Sequence, residues 1–219
     1  MTATTTLPTD VSADSGARRT WLILAVLLGG QFMALLDVTI VNVAMPTIST
    51  DLHTSGSTLQ LIVAGYTVAY AMLLITGARL GTLFGRRRMF LGGMAGFTLA
   101  SLICGLAPDT AVLVAARFVQ GAAAAAMVPQ IITVIQSEFV GAARGKALSF
   151  YSSVLAVGAV AGQVLGGLLL DADVFGLGWR VIFLLNVPVG AVVLSFAVRL
   201  LPALRTGSRP GFDPLGVLT

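Results

Sequence analysis

The stretch Arg79-Leu80-Gly81-Thr82-Leu83-Phe84-Gly85-Arg86-Arg87-Arg88 places four arginines between two uncharged, largely apolar runs, 55–78 and 89–108. Short connections rich in Lys and Arg resist translocation across a membrane, so they stay on the cytoplasmic side. We therefore predict a ten-residue cytoplasmic loop at 79–88. The direction of every other segment follows from it.

The composition of the chain points to a membrane protein. It is 57% hydrophobic and 10% charged, with a mean hydropathy of +0.96, whereas a soluble domain carries about 25% charged residues. The pI near 10.0 does not indicate a nucleic-acid partner, because the basic residues separate apolar runs instead of lying beside aromatic residues on a solvated face. The single cysteine, Cys104, cannot form an intrachain disulfide within these 219 residues.

Six apolar runs have the length of membrane spans. The first, 21–48, is interrupted only by Asp37 and is longer than the apolar core of a signal peptide, about 7–15 residues. Since the alternation of barrel strands is missing, these runs are predicted to be helices. The other five runs are 55–78, 89–108, 110–137, 147–170 and 181–198. We predict a disordered cytoplasmic tail at 1–20, a six-helix bundle at 21–202, and a linker with the start of a seventh span at 203–219.

The charged residues sort by side of the membrane. The side of the membrane opposite the 79–88 loop is predicted to carry only one basic residue, Arg180. It also carries four acidic residues, Asp51, Asp109, Asp171 and Asp173. This asymmetry predicts a multi-pass protein of the cell membrane with both termini in the cytoplasm. Eleven of the 13 basic residues fall on the other side: Arg18, Arg19, Arg79, Arg86, Arg87, Arg88, Arg144, Lys146, Arg199, Arg205 and Arg209.

Small residues and prolines mark helix contacts and irregularities. Glycines let helix backbones approach closely in lipid, and we predict helix packing at Gly121, Gly158, Gly162, Gly166 and Gly167. The alternative that Gly and Ala are simply common in membrane helices stays open. Pro129 and Pro188 lie inside predicted spans and predict kinks or breaks there.

Four motifs together resemble the major facilitator superfamily, in particular its fourteen-span drug:proton antiporters. They are residues 36–46, residues 113–117 with Gln120 and Gly121, residues 158–167, and residues 179–190. The resemblance covers the chain from Trp21 onward. It implies an all-α membrane protein whose six transmembrane helices form two three-helix inverted repeats, one of the two bundles of a complete transporter.

The chain departs from the family pattern in three places. In the second loop, which the resemblance implies to be a gating loop, the first glycine is Ala78 and the acidic residue is Thr82, so an altered latch is implied. In the fifth span the family proline is Gln163. Because one bundle is present, we expect a fragment or a truncated reading frame that lacks a C-terminal bundle. The gating-loop residues are Arg79, Gly81, Thr82, Gly85, Arg86 and Arg87.

Asp37 and Arg117 are the candidate proton-coupling residues. A carboxylate inside a span costs about 2.5–3.5 kcal/mol, so Asp37 should face a cavity, where it could load and release a proton. Arg117 cannot itself release a proton at ordinary pH, so its predicted role is to tune a carboxylate. Counting along the spans places the two at about 12 Å and about 9 Å from the outer surface. A permanent structural ion pair remains the open alternative.

Tyr66, Gln120 and Asn42 are the candidate residues of a substrate cavity. The alternative for each is a hydrogen bond between helices. His53, the one histidine, falls in a short loop and is interpreted as solvated.

The function predicted from these features is the N-terminal half of a proton-coupled exporter of amphipathic organic compounds. The proton gradient would supply the energy, with no cofactor and no metal, and the partners would be the lipid bilayer, a small organic substrate and the missing bundle. A remnant or assembly partner without transport activity is the alternative. An intramembrane enzyme is not favoured, because the spans contain neither a histidine base nor a cluster of metal ligands.

Overall fold

The computed structural model describes residues 11–201, with side chains from Gly16 onward. The described part is a bundle with six segments long and apolar enough to cross a membrane, which confirms the predicted all-α fold with six spans. The sixth span consists of the last two helices. The elements are α1 (Val11–Asp51), α2 (Gly56–Phe84), α3 (Arg86–Gly105), α4 (Thr110–Glu138), α5 (Gly141–Asp171), a 3-10 turn (Val174–Gly176), α6 (Arg180–Leu184) and α7 (Asn186–Leu200).

The connection between α2 and α3 is much shorter than the ten-residue loop predicted at 79–88, and that prediction was wrong. Gly85 alone separates the two helices, with a φ of +94°. Arginine and leucine are good helix formers and an existing helix extends at little cost, so the basic residues join the helix ends. Glycine makes the reversal because it adopts positive φ without steric penalty.

The first helix also begins earlier than predicted, at Val11, so residues 11–20 of the predicted disordered tail are helical. No proline interrupts 11–20, and extension of an existing helix again explains the difference. The rest of that tail, 1–10, lies outside the described residues, as do the predicted linker and the start of a seventh span at 203–219.

The two ends of the bundle differ in charge. At the basic end, where α2, α4 and α7 finish, Arg86 donates to the Ser137 hydroxyl at 2.7 Å and Arg87 donates to the Val198 carbonyl at 2.9 Å. At the acidic end, Asp51 accepts from Trp179 Nε1 at 2.9 Å and from Arg180 at 2.8 Å. Each end is therefore held by side-chain hydrogen bonds between helices.

Glycines set the closest helix contacts. A Cβ at Gly121 would overlap the Tyr66 carbonyl, so α4 lies directly on α2. Gly158, Gly162 and Gly166 face α1, where added Cβ atoms would meet Leu35, Thr39 and Ile40. Gly167, also predicted to pack, faces no other helix of the described residues, because a Cβ there would meet nothing within 4 Å. It lies 100° around the helix from Gly166.

The two prolines behave differently. α4 continues through Pro129 from Thr110 to Glu138. In the sixth span the helical hydrogen-bond pattern is interrupted at Leu185, between α6 and α7, although the Leu185 backbone keeps helical dihedral angles (φ −57°, ψ −36°). Pro188 has no N–H for the carbonyl of Leu184, four residues earlier, which accounts for the interruption. Asn186, the first residue of α7, is buried.

Candidate functional site

Asp37 of α1 and Arg117 of α4 meet at the centre of the bundle, although 80 residues separate them. Both side chains are fully buried. Arg117 Nη1 donates directly to Asp37 Oδ2 and forms an ion pair with it. The structure therefore joins the two residues that the sequence nominated for proton coupling.

The second oxygen of the Asp37 carboxylate is held by two amides. Oδ1 accepts from Gln120 Nε2 at 2.8 Å and from Asn186 Nδ2 at 2.9 Å. Asp37 thus has three donors from two neighbouring spans. A buried charge requires this kind of pairing, because an unpaired one is expensive to desolvate.

Arg117 is equally well held. Its Nε donates to the carbonyl of Ile62 at 3.1 Å and its Nη1 to Gln120 Oε1 at 2.7 Å. The guanidinium carbon lies 4.6 Å from the centroid of the Tyr66 ring, a cation–π distance. Gln120 also donates to the Ser101 hydroxyl at 2.8 Å, which adds α3 to the network.

Ser101 and Asn186 complete the network but were not identified from the sequence. Both are buried. Ser101 carries no sequence signal, because a lone serine in an apolar run is ordinary. Asn186 had one, since a polar amide two positions before a proline stands out in an otherwise apolar span.

The predicted cavity residues separate into two groups. Tyr66 and Gln120 belong to the buried network, and the Tyr66 hydroxyl donates to the Ala34 carbonyl at 3.3 Å. Asn42 lies apart from it, because its side chain is exposed and donates to Val38 of its own helix at 3.2 Å. The structure thus joins two of the three predicted cavity residues to the ion pair.

The predicted gating residues lie at the basic end, away from the ion pair. Arg79 is exposed, and Thr82, which replaces the acidic residue of the family pattern, donates to the Arg79 carbonyl at 2.7 Å within its own helix. Gly81 faces Gln130 of α4, whose amide lies where a Cβ would be. Gly85, Arg86 and Arg87 form the reversal and its ties to α4 and α7.

The buried ion pair joins four spans in one network. The Asp37 carboxylate accepts from donors on α4 and α7. Arg117 has two further acceptors, Gln120 Oε1 and the Ile62 carbonyl of α2. The network therefore connects α1, α2, α4 and the sixth span at the centre of the bundle.

Comparison with known proteins identifies the family. The profile of the Major Facilitator Superfamily matches residues 27–213. The chain belongs to this superfamily. Its members are membrane transporters, so the protein is a multi-pass transporter-family protein and not an enzyme.

Several curated members of the superfamily are similar to this chain. The "Probable actinorhodin transporter" of Streptomyces coelicolor is 45% identical over 91% of this chain and 34% of its own length. The "Puromycin resistance protein pur8" of Streptomyces alboniger is 40% identical over 97% of this chain and 42% of its own. The chain thus spans about a third to two fifths of the length of these relatives.

A solved transporter structure shares the fold. A bacterial homologue of the human lysosomal transporter Spinster, inward-facing and unoccupied, superposes with a TM-score of 0.69 at 24% identity. The match covers 90% of this chain and 46% of that one. At this identity the likeness supports the fold alone.

Proposed function

We propose that this chain is the N-terminal six-helix half of a proton-coupled exporter of small amphipathic organic compounds, with Asp37 as the proton carrier. The observation that carries the proposal is the buried Asp37–Arg117 pair. It is supported by three amide and hydroxyl groups from separate helices. Ionisable residues inside membrane spans commonly mark ion pathways and proton relays.

The names of the relatives support the proposed direction and substrate class. One is named a probable actinorhodin transporter and another a puromycin resistance protein, and export is the activity by which a membrane transporter gives resistance. The spans of the described residues contain only two charged side chains near mid-depth, and these neutralise each other. Such a bundle suits substrates that are largely apolar.

The second candidate is a chain with no transport activity of its own, either a remnant or an assembly partner. What favours it is Thr82, which stands where the family pattern has an acidic latch residue.

A reconstitution experiment separates these candidates. The chain, fused to the segment of the actinorhodin transporter relative that follows the matched region, is expected to export a fluorescent amphipathic dye from vesicles when a proton gradient is imposed. The 219-residue chain alone is expected to export none, because alternating access requires two bodies that move against each other. Absence of gradient-driven export from a folded fusion protein would favour the inactive chain.

The basic end is proposed to face the cytoplasm, and cysteine labelling in intact cells tests this. In a Cys104→Ser background, Ser55→Cys and Ala172→Cys are expected to react with an impermeant maleimide added outside, since both positions are exposed near the acidic end. Arg88→Cys, exposed at the basic end, is expected to react only after lysis. External labelling of Arg88→Cys would show that the basic end faces outward and would contradict the proposed topology.

A further inference from the structure

A groove between α1 and α7 opens on the outer surface of the bundle at the basic end. Its cavity volume is about 560 Å³, and its walls are almost entirely apolar. Gly29 allows the two helices to touch at its floor, where an added Cβ would lie 3.2 Å from Val193. The walls are formed by Leu22, Ala25, Val26, Gly29, Val192, Val193, Phe196, Arg199 and Leu200.

A second, smaller groove lies on the surface of α7 and is lined by residues of that helix alone. Its volume is about 260 Å³. Val192, Phe196 and Arg199 line both grooves, so the half-exposed Phe196 ring stands between them and Arg199 lies at their shared end. Two mainly apolar surface grooves that meet at one cation match the form of a diacyl lipid.

The shared end is strongly basic. Arg199 is exposed there, and Arg87 is fixed next to it by its 2.9 Å bond to the Val198 carbonyl. The buried Nε of Arg87 has no hydrogen-bond partner. Arg18 is four residues before Leu22 and hence on the groove face of α1. Within the described residues, none of these arginines pairs with a carboxylate.

We propose that this surface is a binding site for one anionic diacyl phospholipid. The phosphate group lies among Arg199, Arg87 and Arg18, and the acyl chains lie on either side of Phe196. Basic pockets between membrane helices near the cytoplasmic surface bind anionic lipid headgroups in this way. The site is separate from the Asp37 network and does not depend on proton coupling.

Native mass spectrometry of the delipidated 219-residue protein in nonionic detergent tests the proposal. Dioleoyl phosphatidylglycerol is expected to bind in a one-to-one complex more tightly than dioleoyl phosphatidylcholine, and excess inorganic phosphate is expected not to displace it. Arg199→Gln is expected to weaken phosphatidylglycerol binding about fivefold. Ala25→Trp, which fills the larger groove from an exposed position, is expected to abolish the complex.

Matched controls lie on α2, outside the grooves. Arg79→Gln and Ala78→Trp alter exposed positions and are expected to leave binding unchanged. Equal binding of the two lipids, displacement by phosphate alone, or equal weakening by Arg79→Gln would each overturn the proposal. If phosphatidylglycerol bound only after removal of residues 202–219, that segment would be the occupant of the grooves. This result would also overturn the proposal.

Discussion

Asp37→Asn in the complete fusion protein is expected to reduce proton-driven export to the level of empty vesicles. Asparagine can still accept a hydrogen bond from Arg117, but it cannot bind and release a proton. The measurement is dye efflux from vesicles under an imposed proton gradient. Export at the parent rate in this variant would show that the proton travels by another residue.

The same variant should remain folded but less stable. It leaves Arg117 without its counter-charge, and loss of one partner of a buried pair costs about 3–5 kcal/mol. Arg117 keeps its contacts with Ile62, Gln120 and the Tyr66 ring. The loss in unfolding free energy should therefore lie near the lower end of that range. Tryptophan fluorescence during unfolding in SDS measures it. Gln136→Ala, which alters an exposed residue of α4, is the control.

Gly121→Ala is expected to give a large packing defect. The new Cβ would overlap the Tyr66 carbonyl and lie 3.0 Å from its Cα, and a backbone obstacle cannot rotate away. α4 must then move off α2 and stretch the bond from Arg117 to the Ile62 carbonyl. We expect a loss of about 3 kcal/mol in unfolding free energy, measured by the same SDS titration.

Gly167→Ala is the matched control for this prediction. A Cβ at Gly167 meets nothing within 4 Å, and alanine favours a helix over glycine by about 1 kcal/mol. Stability should therefore stay equal or rise slightly. Equal losses in the two variants would mean that Gly121 does not set the contact between α2 and α4.

The span count followed from the sequence because apolar length and charge sidedness are properties of composition. The ends of the helices did not follow from the sequence, and the junction at 79–88 explains why. Arginine marks the membrane surface, but it is also a good helix former, so the helices extend into the basic stretch. Charge thus identified which end of the bundle is basic, whereas the single glycine between the helices depended on local backbone geometry.

The proximity of Asp37 and Arg117 could be predicted from the sequence, but the residues that support the pair could not. Counting residues along two spans put Asp37 and Arg117 at similar depth. Ser101 and Asn186 depend on how α3 and α7 cross the other helices, which hydropathy does not encode. Asn42 lies outside the network for the same reason, since its exposed side chain bonds to Val38 of its own helix.

Proton-driven efflux by the Asp37→Asn/Arg117→Gln double variant of the fusion protein tests the central claim most directly. Both charges are removed, so a purely structural pair would be replaced at little cost, and stability in SDS should return toward the parent value. We expect that folded protein to show no gradient-driven export, because it lacks the proton carrier. Export at the parent rate would contradict the assignment of Asp37 and leave the pair with a structural role alone.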